Sequence, residues 1–596
     1  MNERIKSVRN HCGPLLSSVW LTGAVAAMLT AGCGGGGGGG NGGSGGAGGT
    51  GGAGGTGGAR SDASSSPDLP QVNPDVPVVA PDAPVVADAG AGGALDVGPD
   101  QAVGPETGSG GTTGTDAKDV APTDAAPITE ADGPIDSGPG VDGGGSVSCG
   151  SAQKAWGYGE TLTNVAWTAD NALVTGSSFI PTTLDFGGVP IAGNGSNDIV
   201  VAKVDPATGK PSWVFTAGDS LDQWLTSTGV TSAGIGVIGQ FKGTLDIDPV
   251  NQVILPIVNP ATNSIDYVMA LSPTGKGVWS KKVNLAGGKL NAIAANVNQE
   301  FFVVCGSAMN NAANLSAVGT PGGGKDVVVA AIKASDGTVM WAKLFGGAMD
   351  QDCTAATMDD AGNVALAGSY AGALDFGTGA LTPAPAGASD AILWVATLNG
   401  TTGAVSAAKA FGTTGQILPA GLALDGQGNV VVVGKTSSAV TFGAQTLTPA
   451  GLYDAFVAKL GSTTLAPMWA RRWGGATGIA LNTGVAIDSA GTITVVGTFK
   501  PSADIGPGST VLQTAGVSLE TLIVSLDGSS GQTLCGRNYG DVASSGGGAQ
   551  AVAINHTAGP LKDRAVIVGN FTKVINFGGA TTALNSGAIA GYLLEP

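Results

Sequence analysis

A motif that recurs about every 63 residues constrains the fold of this chain more than any other feature of its sequence. Each copy begins, in its clearest form, with an aromatic residue and ends a few positions later with an aromatic or apolar residue followed by glycine, as at residues 341–346 and 469–474. The seven copies begin at Lys154, Trp213, Trp279, Trp341, Ala407, Trp469 and Cys535. A period of this length predicts a repeat architecture in which each repeat is one supersecondary unit.

A second marker keeps the same period, because an acidic residue opens an apolar stretch in six of the seven units. These residues are Asp198, Asp266, Asp326, Asp390, Asp454 and Glu520. We interpret the repeated acid as structural, with a carboxylate accepting backbone N–H groups at a strand entry. A ring of calcium sites is the alternative, although no Asp-x-Asp-x-Asp-Gly loop is present.

The fifth unit shows how each repeat is built. Its predicted strands are residues 421–425, 430–434, 454–460 and 469–473, and a Gly- and Asn-rich turn separates the first two. Apolar residues in these stretches are β-branched or alternate, and no sustained helical period is present. Four strands per repeat at this spacing predict the blade of a β-propeller.

The two ends of the periodic region predict how the ring closes. The region begins at residues 154–159 with a copy of a fourth strand, and the chain ends just after a third strand at residues 589–594. The first segment can complete the last blade, which removes exposed sheet edges. The prediction is therefore an all-β, seven-bladed propeller over residues 149–596, closed by an N-terminal strand.

Two segments carry a family resemblance. The stretches Asp454-Ala-Phe-Val-Ala-Lys-Leu460 and Gly428-Asn-Val-Val-Val-Val-Gly434 resemble the bacterial β-propeller repeats known as SBBP repeats. The resemblance covers about residues 150–596 and is most specific in units four to six. It implies a propeller at the cell surface and does not imply an enzyme activity.

The first residues are typical of an export signal. Basic side chains at Arg4, Lys6 and Arg9 precede an apolar run at residues 15–30, which is short for a membrane span. The ending at residues 29–33 resembles a lipobox, which implies removal of residues 1–32 and acylation of Cys33. We therefore expect an outer-membrane lipoprotein, held by its lipid at the cell surface or on the periplasmic face. An ordinary cleaved signal followed by a chance cysteine is the alternative.

Composition predicts a disordered stalk between the signal and the propeller. Residues 33–148 are rich in Gly, Ala, Pro and Asp and have almost no side chains that could build a core. The whole chain has a net charge of −18 and no Lys/Arg cluster after the signal. This balance argues against a nucleic-acid partner.

The cysteines that remain after Cys33 predict two disulfides. Cys305 ends a second strand and Cys353 begins the next first strand, so we expect these two to pair. Cys149 and Cys535 are left, and a bond between them would pin the closing strand to its neighbour. Free buried thiols are the alternative.

No set of residues predicts catalysis, a metal or a cofactor. His556 is the only histidine after the signal, in an expected solvated loop, and the repeated tryptophans are expected to pack between blades. Irregular residues in two predicted inter-blade loops are the candidates for a binding face, because propellers graft function onto loops. They are Asp222, Gln223, Trp224, Asp350, Gln351 and Asp352.

These features favour a monomeric binding or adhesion module with a surface polysaccharide or a protein as ligand. One alternative is a propeller enzyme, either polysaccharide-active or quinoprotein-like. The stretch Val204-Asp-Pro-Ala-Thr-Gly-Lys-Pro-Ser-Trp213 resembles the tryptophan-docking motif of quinoprotein propellers that use pyrroloquinoline quinone. A scaffold for outer-membrane assembly is the third alternative.

Overall fold

A computed structural model describes residues 152–596 except 160, 181–183, 195, 249–255, 260–262, 318, 507–510, 517, 541–545 and 578–583. The described residues form seven four-stranded antiparallel sheets. Each sheet packs against the next, and the first strand of the seventh sheet contacts that of the first. The protein is therefore an all-β, seven-bladed β-propeller, as the sequence predicts. The predicted signal, Cys33 and the predicted stalk lie outside the described residues.

The strands of each blade follow one another in chain order, except in the last blade. Blade 1 has Asn164–Trp167, Leu173–Phe179, Asp198–Val204 and Pro211–Ala217; blade 2 has Gln223–Val230, Ile235–Phe241, Ile265–Leu271 and Gly277–Val283. Blade 3 has Lys289–Ala294, Phe301–Ala308, Asp326–Lys333 and Val339–Phe345; blade 4 has Gln351–Met358, Asn363–Tyr370, Ile392–Asn399 and Val405–Phe411. Blade 5 has Ile417–Leu424, Val430–Thr436, Asp454–Leu460 and Pro467–Trp473; blade 6 has Ile479–Ile487, Thr492–Lys500, Glu520–Asp527 and Thr533–Tyr539. Blade 7 has Gly547–Ile554, Ala565–Ile575 and Leu584–Glu595.

The N-terminal strand closes the ring, as the sequence predicts. Lys154–Tyr158 pairs antiparallel with Leu584–Glu595, with Lys154 opposite Glu595 and Tyr158 opposite Gly591. The N–H of Gln153 extends this ladder by donating to the Glu595 carbonyl oxygen at 2.9 Å. The last blade thus obtains its fourth strand from the beginning of the module.

The first strand of each blade lies nearest the axis, and in blade 5 it is longer than the sequence predicted. In blade 5 it begins at Ile417, four residues before the predicted start at residue 421. The prediction missed those residues because a β-bulge between Pro419 and Gly421 lets the strand continue through a proline. The first strands of blades 2, 3, 4, 6 and 7 have a bulge in the same register.

Side chains at the bulges connect neighbouring blades close to the axis. The Asn291 amide donates to the Cys353 carbonyl oxygen of the next blade at 2.9 Å. The hydroxyl of Thr483 donates in the same way to Ala549 at 2.8 Å. These bonds satisfy carbonyl groups that the bulged ladder leaves free, so the bulge is a joint between blades.

The repeated tryptophans pack between neighbouring blades, which confirms the prediction made from their spacing. The Trp341 ring lies on Gly403 in the turn between the third and fourth strands of the next blade, and its Nε1–H donates to the Gly400 carbonyl oxygen at 2.7 Å. Gly403 has φ +70°, and a Cβ there would stand 2.7 Å from the indole. The same ring-on-glycine contact joins Trp213 to Gly275, Trp279 to Gly337 and Trp469 to Gly531; in the closing strand Trp156, two residues after the motif start Lys154, makes it with Gly209.

The two exceptions to this contact have structural reasons. Ala407 replaces tryptophan in blade 4, and the facing turn has Leu465, fully buried at φ +52°, in place of a glycine. Both belong to one apolar cluster, so the larger turn residue fills the volume that a smaller partner leaves. Cys535 replaces tryptophan in blade 6, where the next blade has no turn from a third strand to a fourth.

A disulfide links Cys305 in the second strand of blade 3 to Cys353 in the first strand of blade 4. Both residues are fully buried and their Cα atoms are 5.7 Å apart. The predicted pair is confirmed. Cys535 is also disulfide-bonded, whereas Cys149, its predicted partner, lies outside the described residues.

We expect Gly403→Ala to lower the free energy of unfolding by about 2–4 kcal/mol, because the new Cβ meets the Trp341 indole and φ is left-handed. Urea unfolding followed by tryptophan fluorescence measures the loss. Gly491→Ala is the matched control, since Gly491 has φ +86° and nothing within 4 Å of the added carbon. It should cost only about 1–2 kcal/mol. Equal losses for the two variants would show that ring contact is unimportant.

Candidate binding face

The direction of the strands divides the propeller into two unlike faces. First and third strands begin on one face, so the connections between blades and those between second and third strands lie there. We call it the insertion face, since four of its connections contain extra hairpins: 184–191, 243–259, 440–447 and 502–513. Lys154, which begins a fourth strand, and Glu595, which ends a third, lie on the opposite, entry face.

The repeated acids line the insertion face as backbone acceptors. Asp326 receives the Gly322 N–H at 2.6 Å and the Gly347 N–H at 3.1 Å. Asp390 receives the Gly415 N–H at 2.7 Å. The remaining members of the series, Asp198, Asp266, Asp454 and Glu520, each receive at least one backbone N–H. These contacts confirm the structural interpretation, because each acid ties its strand to a neighbouring loop.

Asp266 is the most strongly perturbed of these acids. It is 3% exposed and accepts the Leu290 N–H of the next blade at 2.8 Å and the Gln240 amide at 3.2 Å. Burial raises its pKa to about 6, while these two hydrogen bonds and the charge of Lys289 act in the opposite direction. The carboxyl group is thus held between two blades in an environment that favours its neutral form.

The six candidate binding residues were predicted to lie in inter-blade loops, and that placement is wrong for four of them. Gln223 and Gln351 are the first residues of the first strands of blades 2 and 4, and Trp224 and Asp352 follow them. Only Asp222 and Asp350 precede the strands. The prediction failed because these first strands begin before the apolar alternation is visible in the sequence.

Both glutamine side chains are buried and hydrogen-bond to backbone groups of their own blade. Gln223 accepts the Asp219 N–H at 3.1 Å through Oε1 and donates through Nε2 to the Lys242 carbonyl oxygen at 2.9 Å. Gln351 makes the equivalent bonds to Gly347 at 3.1 Å and to Ala371 at 3.1 Å. Their bonding capacity is used inside the blade, so we assign them to loop geometry.

Trp224 forms a half-buried polar–aromatic group with its neighbours. The Lys242 ammonium lies 5.1 Å from the Trp224 ring centroid and 3.0 Å from the Asp222 carboxylate. Burial raises the pKa of Asp222, but hydrogen bonds from Ser196, Asn197 and Lys242 outweigh it and the net shift is downward. The lysine is therefore held over the indole by a charged partner.

Asp352 occupies the matching place in blade 4. Its carboxylate accepts the Asn291 amide at 2.8 Å, and burial raises its pKa to about 6 against the hydrogen bond from Ser307. Asp350, two residues earlier, accepts the Lys325 N–H at 3.0 Å and is held in the loop. Among the six candidates, Trp224 and Asp352 are the two in a first strand, beside the axis, whose side chains are partly exposed. They supply an indole and a carboxylate.

Strand register shows three further members of the same ring. In each of blades 2 to 6, one first-strand residue pairs with the residue that follows the second-strand glycine. These residues are Trp224, Lys289, Asp352, Leu418 and Leu481. All five are half-buried at the insertion-face end of the innermost strands, and we call them the axial rim. The sequence analysis missed Lys289, Leu418 and Leu481, although their spacing of 63 to 66 residues was a usable signal.

The rim has a polar side and an apolar side. Blades 2, 3 and 4 supply an indole, an ammonium and a carboxylate, while blades 5 and 6 supply leucines. An aromatic face with a few placed polar groups is the usual chemistry of a site for a sugar or a peptide. His556 does not take part, since it is exposed in a loop on the entry face.

The described residues include no group of three or more His, Cys, Asp or Glu side chains placed to hold a metal ion. Within the same part of the chain, no helix has the length and apolar character needed to cross a membrane.

No family model matches the sequence, and no curated protein matches it significantly. Among solved structures, the WD40 domain of Neurospora crassa Pan2 is similar with a TM-score of 0.37 and 11% identity over 73% of this chain and 90% of that chain. BamB from Moraxella catarrhalis is similar with a TM-score of 0.32 and 12% identity over 73% and 86%. A quinohemoprotein alcohol dehydrogenase from Comamonas testosteroni has a TM-score of 0.33 and 11% identity over 75% and 76%. Likenesses at these values carry no information about function.

We expect wild-type stability to fall relative to Asp266→Asn as the pH rises from about 4 to 6. The folded carboxyl keeps its proton up to about pH 6 whereas the unfolded one releases it near 3.8, so ionisation favours unfolding across that window. The difference should reach roughly 3 kcal/mol and then level off. Thermal unfolding at several pH values measures it. Asp527→Asn is the control, because serine hydroxyls lower the Asp527 pKa to about 2. This variant should lose stability between pH 4 and 6 as the wild type does.

Proposed function

We propose that this protein is a lipid-anchored propeller of the SBBP type that binds a surface polysaccharide through its insertion face. The lipid on Cys33 holds it at the outer membrane, and residues 33–148 act as the spacer. A protein ligand is the alternative occupant of the same face. The propeller acts as a monomer, because ring closure is completed within one chain.

One observation supports the insertion face above all others. The chain enters the ring at Lys154 and leaves it at Glu595 on the entry face, next to each other. A spacer attached there leaves the insertion face, with its hairpins and the axial rim, free of the connection to the membrane. Function in propellers is usually placed on such connections, while the strands supply a rigid support.

The chemistry of the rim supports a carbohydrate. Trp224 offers a flat apolar surface, Lys242 and Asp222 supply charged hydrogen-bonding groups beside it, and Asp352 supplies a carboxylate two blades further along the rim. Sugar rings present an apolar face to aromatic side chains and hydroxyl groups to polar ones. Leu418 and Leu481 give the opposite side of the rim an apolar surface.

The segment that suggested a quinoprotein-like enzyme has a structural role in this propeller. The Trp213 segment that suggested it is used for blade docking, because the indole lies on Gly275 and donates to the Pro273 carbonyl oxygen at 3.2 Å. The equivalent contacts recur around the ring, so the motif reports on propeller packing.

We expect Trp224→Ala to weaken polysaccharide binding by tenfold or more, about 1.4 kcal/mol, because the stacking surface is lost. Trp224→Phe should retain most of the affinity, since it keeps an aromatic face. A glycan array followed by calorimetry on the best ligand measures both variants. His556→Ala is the control on the entry face. Binding that is insensitive to Trp224→Ala but lost in His556→Ala would place the ligand on the wrong face for this proposal.

We expect Cys33→Ser to move the protein from the membrane fraction to the soluble fraction, because the thiol that accepts the lipid is gone. Fractionation with detection by an antibody measures the distribution. Cys12→Ser, which lies within the expected signal, is the matched control and should remain membrane-bound. Membrane association of Cys33→Ser equal to that of the wild type would contradict acylation at this site.

A further inference from the structure

Blade 3 places two lysines on the insertion face. Lys289 is a member of the axial rim and begins the first strand of this blade, and Lys325 directly precedes the third strand, Asp326–Lys333. Both strands begin on the insertion face, and only the second strand, Phe301–Ala308, lies between them. Neighbouring strands are about 5 Å apart, so the two lysine backbones are roughly 10 Å apart across the sheet. Both side chains are half-buried.

Strand register directs both lysines towards blade 4. Lys289 pairs with Ser307, which pairs with Val327, and Lys325 lies two residues before Val327. Directly paired residues, and residues two apart along a strand, share one side of a sheet. The Ser307 hydroxyl on that side binds the Asp352 carboxylate of blade 4. Burial raises the pKa of this carboxyl to about 6, and the charges of both lysines act in the opposite direction. The two ammonium groups therefore lie near the junction of blades 3 and 4.

Neither lysine is paired with a carboxylate inside the propeller. Among the described residues, no carboxylate oxygen lies at ion-pair distance from the ammonium of Lys289 or Lys325. The Asp352 carboxylate accepts the uncharged Asn291 amide at 2.8 Å. The hydrogen bonds to Asp266, the other acid on which the charge of Lys289 acts, also come from uncharged groups. Both cations are thus available to a group outside the propeller.

The loop in front of Lys289 carries almost no side chains. It has the sequence Ala-Gly-Gly at residues 286–288, and its first two residues are exposed and have positive φ. Gly288 has no room for a side chain, because a Cβ there would stand 2.0 Å from the Ser307 carbonyl oxygen. The Met309 side chain, which is 50% exposed, lies beside this loop. A ligand that lies over the loop can therefore approach Lys289 closely.

Neither cation is part of the repeat. In the five other blades that have the repeated acid, the place of Lys325 is taken by Asn197, Ile265, Ser389, Tyr453 and Leu519. The other rim positions carry tryptophan, aspartate and leucine in place of Lys289. Because those blades fold without a cation at either position, blade packing does not explain the two lysines.

We propose that the ligand of the insertion face is an acidic polysaccharide, whose uronate carboxylates pair with Lys289 and Lys325 while a sugar ring lies on Trp224. This inference rests on the proposed function and names the class of sugar that the face binds. The first strands of blades 2 and 3 pack against each other, so Trp224 and Lys289 occupy adjacent positions on the rim.

The two lysines favour an acidic sugar over a neutral one. A ligand that covers a half-buried ammonium removes water from it, and a carboxylate replaces that water better than a hydroxyl group does. A uronate differs from the neutral hexose by a carboxylate in place of a hydroxymethyl group, so the ring that stacks on the indole stays the same. Partly exposed ion pairs are individually weak and are screened by salt, so two of them act together here.

Paired glycans test the proposal on the full-length protein. Oligomers of galacturonate, mannuronate and glucuronate are each compared with their carboxyl-reduced counterparts, which keep the ring and the linkage and lose only the charge. We expect at least one uronan to bind roughly tenfold more tightly than its reduced form at about 50 mM salt, and the difference to shrink at about 0.5 M. Calorimetry measures the affinities.

Substitutions test whether the two lysines cause the preference. K289Q/K325Q should remove the difference between the uronan and its reduced form, whereas K289R/K325R keeps both charges and should keep the difference. The matched control is K276Q/K333Q, which removes two exposed lysines from the entry face and should bind as the wild type does.

Equal affinity for every uronan and its reduced form would overturn this inference and leave the polysaccharide proposal intact. Absence of binding to every glycan, acidic or neutral, would contradict both. Loss of the preference in K276Q/K333Q would also overturn the inference, since general charge would then suffice. Poly-L-glutamate has the carboxylates without the sugar ring. If this polymer binds as tightly as the best uronan, the two lysines serve an acidic peptide and the inference is wrong.

Discussion

The contact between neighbouring blades is the interaction on which the rest of this structure depends. A four-stranded blade has two faces, and it can bury both only when another blade stands on each side. The indole of each docking tryptophan covers the turn of the next blade and also binds its backbone, so one side chain supplies packing and a hydrogen bond together. The contact depends on a glycine in the turn, because the ring occupies the space of a side chain. Each blade thereby fixes the orientation of the next blade. Repeated around the ring, these contacts place the last blade beside the first.

The series of contacts between blades is weakest where the ring closes, and two features of the sequence compensate for this. The closing strand restores the sheet, since Lys154–Tyr158 supplies hydrogen bonds that Leu584–Glu595 would otherwise leave open. It also brings Trp156 to Gly209, so the docking contact crosses the junction from blade 7 to blade 1. On its other side, blade 7 offers no turn between a third and a fourth strand, and the tryptophan position of blade 6 is Cys535, a disulfide-bonded residue. The disulfide bond of Cys535 takes the place of a tryptophan–glycine contact, because blade 7 has no turn from a third to a fourth strand for a tryptophan to pack on.

The repeat allowed the architecture to be predicted from the sequence, but it did not allow the candidate site to be predicted in the same way. Blade number, the closing strand, the Cys305–Cys353 pair and the role of the repeated acids all followed from spacing, because each recurs or pairs at a fixed level of the blade. The entries of the first strands were misread, since Gln223 and Gln351 are buried polar residues where an apolar pattern was sought. Their burial is stabilised by bonds to backbone just after the second strand of the same blade, such as that of Gln223 to Lys242, 19 residues later. The axial rim could be found only from strand register, which a bulge shifts by one residue in the first strands of blades 2 to 7 and which composition does not reveal.

The distribution of repeated and unrepeated residues separates structure from function in this protein. Positions that serve the ring are nearly uniform, and when one changes its partner changes with it, as Ala407 and Leu465 do. Rim positions are structurally equivalent and all half-buried, yet they hold Trp224, Lys289 and Asp352 on one side and leucines on the other. Blade packing does not require this asymmetry, because leucine satisfies the same position in blades 5 and 6. A half-buried carboxylate with a raised pKa is also a less stable choice there than an apolar residue. We propose selection for a ligand with distinct sides as the reason why these three residues depart from leucine, and this asymmetry is the ground for our proposal that the insertion face, rather than the uniform interior of the blades, binds the ligand.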